Sequence, residues 1–567
     1  MLDFGPEESA TAHGGQLHRS ETAEGAVMTM LTKARTYSLR AILAVGLVAL
    51  AAVTLSARAA DRPDLQTAIH SGSELESDTR WKEAVDHYKD SLKIWPDDET
   101  LKLGLRRSQF QFSITRRYDD DTFVTSLKPM SRDAAMALYD DVLTHIQMSF
   151  VDPINTTSVV AHGTESLWLA LGNPEFLEKN LVAASSTQLN SLRRELFEKF
   201  WNKSVAHQFA AREVINDVCT LCQSRVGLDS SAVIMEYVFG ACNCLDDYSN
   251  VLTPGKRQDL YGNIRGEFVG VGIVMESETD HGMKLIQVLP ESPAREAGLK
   301  RGEFIVGIDG QNARPMSTDQ AANLLAGKSG SRVLLEVERY DGSTYEVTCT
   351  RREVHVKSVA TAKIIDPTNG VGYIQMTGFQ QGTVAEMDAA LTELKKQGMR
   401  SLIWDLRDNP GGLLTAAIEL LDRFIDDGVI VSTRGRAPDQ SMTYTAHRPG
   451  TWDLPVVLVI NENSASASEI VAGAIRDHQR GTIVGRTSFG KWSVQSIFDL
   501  RYGTAIRMTT AKFYSPRGNT WGKIGLQPDV VVDAGPESPP LGEVDLNNDA
   551  DLREALRQLR GQEFTKR

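Results

Sequence analysis

The sequence predicts a multidomain α+β protein, and three observations carry that prediction. A chain of 567 residues is longer than one hydrophobic core supports, so several domains follow. Helical periodicity dominates from about residue 61 to residue 250, whereas residues 264–355 alternate short strand-like runs with one helical stretch. Beyond them strands and helices mix: Leu402 to Leu406 and Val456 to Ile460 have the length and apolarity of buried strands, Ile470, Val471, Ala474 and Ile475 recur at helical spacing, and Ser493 to Leu500 alternates. The net charge of −13, with no long basic run, argues against nucleic acid as the main partner.

Taken in order, residues 1–60 read as an export segment. Lys33, Arg35 and Arg40 precede the apolar run Ala41 to Leu55, and Ala57-Arg-Ala59 supplies an A-x-A-like cleavage site. Residues 1–27 are polar and acidic and read as an extended or misassigned start, with Met28 and Met30 better placed. The apolar run is short for a membrane span, so cleavage is expected, with an uncleaved signal anchor as the alternative and a buried helix as the plainer reading weighed against both. Either export outcome places the protein outside the cytoplasm, in the periplasm or anchored to the membrane. In residues 61–130, Gly72, Ala84, Tyr88 and Pro96 fall at spacings like those of a tetratricopeptide repeat. One repeat cannot bury its own face, so a helical hairpin packed on the next segment is expected. Residues 131–263 continue helical, a region open to an adaptor partner. Five cysteines occur, at 219, 222, 242, 244 and 349. The Cys-x-x-Cys and Cys-x-Cys pairs allow two disulfides, reduced core thiols or a tight four-thiolate zinc site; export favours the disulfides. Cys349 sits in an alternating strand and is expected to be a buried thiol.

Chemistry concentrates at Asn463-Ser-Ala-Ser-Ala-Ser-Glu469, the turn between the strand ending at Ile460 and the following helix. The first amides of a helix lack intrahelical partners and carry the positive end of its dipole, so a serine there has oxyanion donors beside it. The plainer reading of Ser466-Ala-Ser-Glu469 is a capping box that only starts the helix. A nucleophile needs a base. His478 lies on the same helix, roughly 18 Å along its axis from Ser466, which excludes it. His447 lies in a polar loop that nothing aims at the serine. Lys491, in a Gly-rich loop before an alternating strand, serves if burial and neighbours lower its pKa.

Five blocks then carry a resemblance to the carboxy-terminal processing, or tail-specific, serine proteases. They are Tyr373-Ile-Gln-Met-Thr-Gly-Phe379, Leu402-Ile-Trp-Asp-Leu-Arg-Asp-Asn-Pro-Gly-Gly-Leu413, the Ser-Ala-Ser-Ala-Ser-Glu block, Gly490-Lys-Trp-Ser-Val-Gln495, and Thr509 to Gly518 with Gly525-Leu-Gln-Pro-Asp529. Leu245 to Pro254 matches the family's entry into the domain ahead of the core. The resemblance implies a mixed α/β, crotonase-like protease core over residues 356–535. It makes Ser466 the nucleophile, Lys491 the base and Gln495 the residue that orients it; the residues alone do not choose among Ser464, Ser466 and Ser468. Gly411 or Gly412 and Ala467 would supply oxyanion amides, and Asp477 would support the site. Trp492 departs from the glycine usual after the lysine, so its ring is expected to desolvate Lys491 or to alter access.

Residues 264–355 resemble the PDZ domain such proteases carry, through Gly266 to Ile273, Val288 to Leu299 and Gly302 to Gly310. A PDZ-like, β-rich domain binds an extended peptide by strand addition and holds its carboxylate in a nest of amides. The matching loop is Phe268, Val269, Gly270, Val271 and Gly272. The tail, residues 536–567, is acidic, and Asp549 to Arg560 is expected as a short surface helix. The implied function is an exported endopeptidase that recognises protein or peptide substrates by their free C-termini, with no metal or organic cofactor. The alternatives are a catalytically silent PDZ-bearing scaffold and a hydrolase using His447.

Overall fold

Strands that are apolar at every position need cover on both faces. In the computed structural model, which describes residues 64–181, 184–278, 280–447, 452–533 and 544–565, the central sheet meets that need. Its six strands run in the order Val359–Asp366, Val371–Met376, Ser401–Asp405, Val456–Ile460, Thr482–Gly485, Val530–Val531. The first pair is antiparallel and the others are parallel. Side-chain alternation divides the three central strands between two layers. Leu402, Trp404, Leu458 and Ile460 pack into one core with the helices Thr383–Lys396, Leu414–Leu421 and Ala467–Asp477. Ile403, Val457 and Val459 pack into the other with Leu552, Ala555, Leu556 and Leu559 of the C-terminal helix, Ala550–Thr565.

That helix corrects the expectation of a surface element. Its apolar residues repeat at helical spacing and close the second face of the sheet, and Asp549 and Asp551 are themselves buried. The expected export segment, residues 1–60, lies outside the described residues.

A second, antiparallel sheet is centred on Ala505–Tyr514, which pairs with Asn250–Leu252, Val429–Gly435 and Ser493–Asp499. The helical region packs on it: Ile506 and Met508 share one core with Val142, Ile146, Val233 and Tyr237. Within that core Arg117 pairs with Glu236 at 2.8 Å, and Ser166 Oγ also donates to Glu236. The helices Trp81–Ile94 and Glu99–Tyr118 form the expected hairpin, so close that a Cβ on Gly104 would lie 2.4 Å from the Tyr88 ring. The favoured disulfides are absent, since all five cysteines are free thiols. Cys219 and Cys222 are one turn apart on the helix Gln208–Val226 and belong to the helical core with Cys242. Burial pushes the Cys219 thiol up to about 11 and that of Cys244 to about 12.

Residues 273–350 form an antiparallel sheet ordered Ile273–Glu278, Gly282–Val288, Phe304–Ile308, Arg332–Glu338, Thr344–Thr350, with Gln311–Asn312 beside Phe304–Ile308 and one main helix, Thr318–Leu325. Cys349 is buried in it, as expected. Ile273–Glu278 is an edge strand. A two-stranded ribbon, Glu267–Gly270 against Arg352–His355, carries the chain into and out of this domain. The expected carboxylate loop is therefore half strand: Phe268, Val269 and Gly270 are paired in the ribbon, and only Val271 and Gly272 turn. Gly272 has φ +84°, and a Cβ there would lie 2.2 Å from Ser292 Cβ, so this turn excludes other residues.

Candidate active site

In parallel α/β sheets, sites form in the crevice beyond the carboxyl ends of the strands. Four loops meet there: 377–379 after Met376, 406–412 after Asp405, 461–466 after Ile460 and 486–491 after Gly485.

The three serines of the third loop separate by what their hydroxyls do. Ser464 Oγ donates to Leu406 O at 2.7 Å and accepts from Asn461 N–H at 2.9 Å; Ser468 Oγ donates to Asn409 O at 2.9 Å. Both are fully buried and tie the helix start to the glycine loop. Ser466, between them, is partly exposed. It adopts φ 57° and ψ −112°, a strained conformation for a residue with a Cβ, which turns it out of the chain path just before the helix.

The second loop presses against it. Gly411 has φ +98°, and a Cβ there would lie 2.8 Å from both Ser466 Cβ and Ala467 N. Gly411 N–H donates to Asn409 Oδ1 at 2.9 Å, and Asn409 Nδ2 to Met376 O at 3.1 Å. Gly411 thus shapes the loop with its own amide engaged, whereas Gly412 is exposed. Among the described residues neither Gly412 N–H nor Ala467 N–H donates a hydrogen bond.

Lys491 is half-buried, and its ammonium lies 4.8 Å from the centre of the Tyr248 ring. Burial, and next the nearby Arg507, lower its pKa below the ordinary lysine value, against the opposing pull of Asp246 and Glu469. Among the described residues it makes no ion pair. Gln495 does not reach it by a hydrogen bond: its amide donates to Ser493 Oγ at 2.9 Å and Thr509 Oγ1 at 3.2 Å, next to a bulge at Val494/Gln495.

Glu469, read from sequence as a capping acid, joins the serine to the lysine loop. Its Oε2 accepts from Ser466 N–H at 2.9 Å and from Lys491 N–H at 2.8 Å. Its Oε1 accepts from Gly490 N–H at 2.8 Å, from Ser488 Oγ and, at 3.3 Å, from Trp492 Nε1. The capping-box spacing was the only sequence signal for it, and that signal names a local role. Tyr248 and Arg507 were also missed, although Tyr248 lies inside the Leu245 to Pro254 block.

Trp492 is a core residue. Its ring points away from the crevice into the core, 4.5 Å from the Phe513 ring and 4.7 Å from that of Trp521, and is 3% exposed. Its indole N–H reaches the Glu469 carboxylate that also holds the Lys491 amide. Asp477 sits roughly 16 Å down the helix from Ser466 and accepts from Arg517 N–H at 2.9 Å, bracing the turn after Tyr514. His447 and His478 are engaged elsewhere. His447 is exposed, with its backbone N–H on Asp422 Oδ1 at 2.6 Å; His478 Nε2 lies 2.7 Å from Val429 O.

The site thus holds an accessible serine on a strained strand-to-helix turn, two amides without a hydrogen-bond acceptor among the described residues, and a half-buried lysine whose backbone is tied to the serine's through Glu469, the kind of groups a serine hydrolase uses. The family model "Peptidase family S41" matches residues 370–532, and that of the PDZ domain matches residues 286–339. The carboxy-terminal-processing protease of Bartonella bacilliformis is 35% identical over 339 residues, 59% of this chain and 75% of that protein. The carboxyl-terminal-processing protease of a Synechocystis species is 37% identical over 306 residues, 52% of this chain and 70% of that protein. A solved photosystem II D1 C-terminal processing protease superposes on 73% of this chain and 96% of its own, at TM-score 0.40 and 24% identity. The chain belongs to peptidase family S41, as a carboxyl-terminal-processing serine protease with a PDZ domain.

Proposed function

We propose that this serine peptidase is exported, recognises protein C-termini through its PDZ domain, and cleaves by a Ser466/Lys491 acyl-enzyme mechanism. The observation that carries the chemistry is the shared Glu469 carboxylate, which fixes the backbone of Ser466, the accessible serine of its turn, and that of the lysine together. Neutral Lys491 takes the Ser466 proton as Oγ attacks the scissile carbonyl. Gly412 and Ala467 N–H receive the oxyanion, lysine returns the proton to the leaving amine, and water resolves the acyl-enzyme. A serine-directed acylating probe tests this: labelling should vanish in Ser466→Ala and in Lys491→Ala and persist in His447→Ala. Loss in His447→Ala with retention in Lys491→Ala would transfer the base to histidine. The silent scaffold finds no support, because the relatives are peptidases and every dyad position is filled.

For recognition, the support is the strand Ile273–Glu278, which has a strand neighbour on one side only, beside the helix Thr318–Leu325, with the Val271–Gly272 turn at its start; on its other side Ser277 N–H donates to Thr318 Oγ1 at 3.2 Å and Ser277 O accepts from Lys82 Nζ at 2.8 Å, so an added strand would pair along the rest of the edge. Export rests on the basic and apolar pattern of residues 33–59; no helix of the described residues is long and apolar enough to cross a membrane. Membrane anchoring and an adaptor on the helical region belong to the same reading. Fractionation of cells expressing the full chain, with sequencing of the mature N-terminus, tests it; recovery in the cytoplasm with residues 33–59 intact would refute export.

A further inference from the structure

The C-terminal helix lies beyond the residues that the peptidase family model matches, which end at 532. Its leucines suffice to close the back of the sheet. Yet the start of this helix also carries two buried carboxylates, and these reach past the sheet to two loops of the crevice.

Arg407 is 3% exposed and stands two residues before Asn409. Its guanidinium donates to Asp405 Oδ2 at 2.6 Å, to Asp549 Oδ2 at 2.8 Å and to Asp551 Oδ2 at 3.1 Å. Arg486 stands two residues before Ser488, whose hydroxyl meets Glu469. Its Nη1 donates to both oxygens of Asp551 at 3.0 Å, and its Nε to Glu462 at 3.0 Å. Tyr373 OH closes the far side on Asp405 Oδ2 at 2.8 Å. Asp551 therefore bridges the loop that carries the oxyanion glycines and the loop that carries the lysine. Burial alone would lower the Arg407 pKa, but Asp405 and Asp549 outweigh it and hold the guanidinium charged. Buried ion pairs of this kind stabilise poorly compared with apolar packing, because desolvation offsets the attraction. Their value lies in fixing direction, and the direction fixed here is that of two catalytic loops.

We propose that Asp551, with Asp549, is a positioning residue for the peptidase reaction, stapling the oxyanion loop to the lysine loop through Arg407 and Arg486. The proposal rests on the Ser466/Lys491 reading. A small displacement of either loop separates amides, serine and lysine that must act on one carbonyl, which costs rate more than substrate binding.

The test uses the full chain with Asp551→Asn, Asp551→Glu, Arg486→Gln and the double variant. It measures kcat and KM on a peptide substrate, with active sites counted by an acylating probe, alongside melting temperature. Asp551→Asn should lower kcat per titrated site roughly 10- to 100-fold with KM little changed, and Asp551→Glu should recover much of it. Arg486→Gln should fall similarly, and the double variant by less than the product of the two. Leu556→Ala, which loosens the same helix through its apolar side, should lower the melting temperature and leave kcat per site near wild type. A lowered melting temperature with wild-type kcat per site in both Asp551→Asn and Arg486→Gln would overturn the staple, as would an equal kcat loss in Leu556→Ala. If Asp551→Asn does not fold, Arg486→Gln reads the same link from the other loop. Ser466→Ala is assayed in parallel: turnover surviving there refutes the dyad, a result distinct from a silent Ser466→Ala beside a fully active Asp551→Asn.

Discussion

Glu469 shows how much one side chain settles at this site. Its two oxygens serve three backbone amides, a hydroxyl and an indole N–H, drawn from the serine turn and the lysine loop. Glu469→Gln keeps the shape but replaces one acceptor oxygen with a donor. We expect kcat to fall about 100-fold with the fold retained, measured per titrated site; wild-type turnover would remove Glu469 from the positioning of the dyad. Lys491 gives a pH signature. Burial, then Arg507, lower its pKa, so the amine is charged below that lowered value and neutral above it. Turnover should rise with pH through an apparent pKa below the ordinary lysine value of about 10.4 and then level off. Stability carries the same sign: below the lowered pKa the folded state must hold a half-buried charge with no ion-pair partner among the described residues, and that cost fades as pH climbs to the ordinary value. Lys491→Met should therefore melt above wild type at neutral pH, the gap closing in alkali; a lower melting temperature at pH 7 would contradict it. Ser466 adds backbone strain at φ 57°. Both Ser466→Ala and Ser466→Gly should be inactive, but the glycine variant should be the more stable by about 1 kcal/mol in denaturant titration.

At the scale of elements, the strand-to-helix unit Val456 to Asp477 was legible because burial and periodicity are local signals. The roles of Ser464 and Ser468 were not, since their acceptors, Leu406 O and Asn409 O, lie in another loop. The C-terminal helix was misplaced for a different reason. Leu552, Ala555, Leu556 and Leu559 recur at core-facing spacing, but the acidic residues around them suggested a solvated helix, and the guanidiniums that neutralise Asp549 and Asp551 come from far upstream. Trp492 likewise had no local signal, because its environment is built by Gly473, Phe513 and Trp521. Trp492→Ala should cost about 3–5 kcal/mol in unfolding free energy, and Trp492→Phe markedly less. Equal, small losses would mean that the ring is not packed as described.

For the whole molecule, the question is whether a tail held at the PDZ domain reports to the crevice. The ribbon Glu267–Gly270 with Arg352–His355 joins the two, and Asp119 Oδ2 accepts from Ser317 Oγ at 2.9 Å, where the PDZ helix begins. A peptide ending in a free carboxylate should be cleaved better than its C-terminal amide, which lacks the charge and one acceptor oxygen. The difference falls in KM if the domain only tethers and in kcat if occupancy also aligns the site. Equal cleavage of acid and amide would strip C-terminal recognition from the enzyme. The domain order was readable because each domain keeps its own periodicity. The joints between them were not, since the ribbon, the shared core and the hydrogen bonds from Ser317, Gln320 and Asn323 to Asp119 all pair residues remote in sequence.

The five-donor carboxylate also leaves a mark in solvent exchange. The amides of Ser466, Gly490 and Lys491 bond to a side chain in place of a helix or sheet ladder. Their deuterium uptake should therefore be governed by one shared opening, whichever segment each belongs to. Three amides on two loops, exchanging at one rate and accelerating together in Glu469→Gln, would mark the serine turn and the lysine loop as a single cooperative unit.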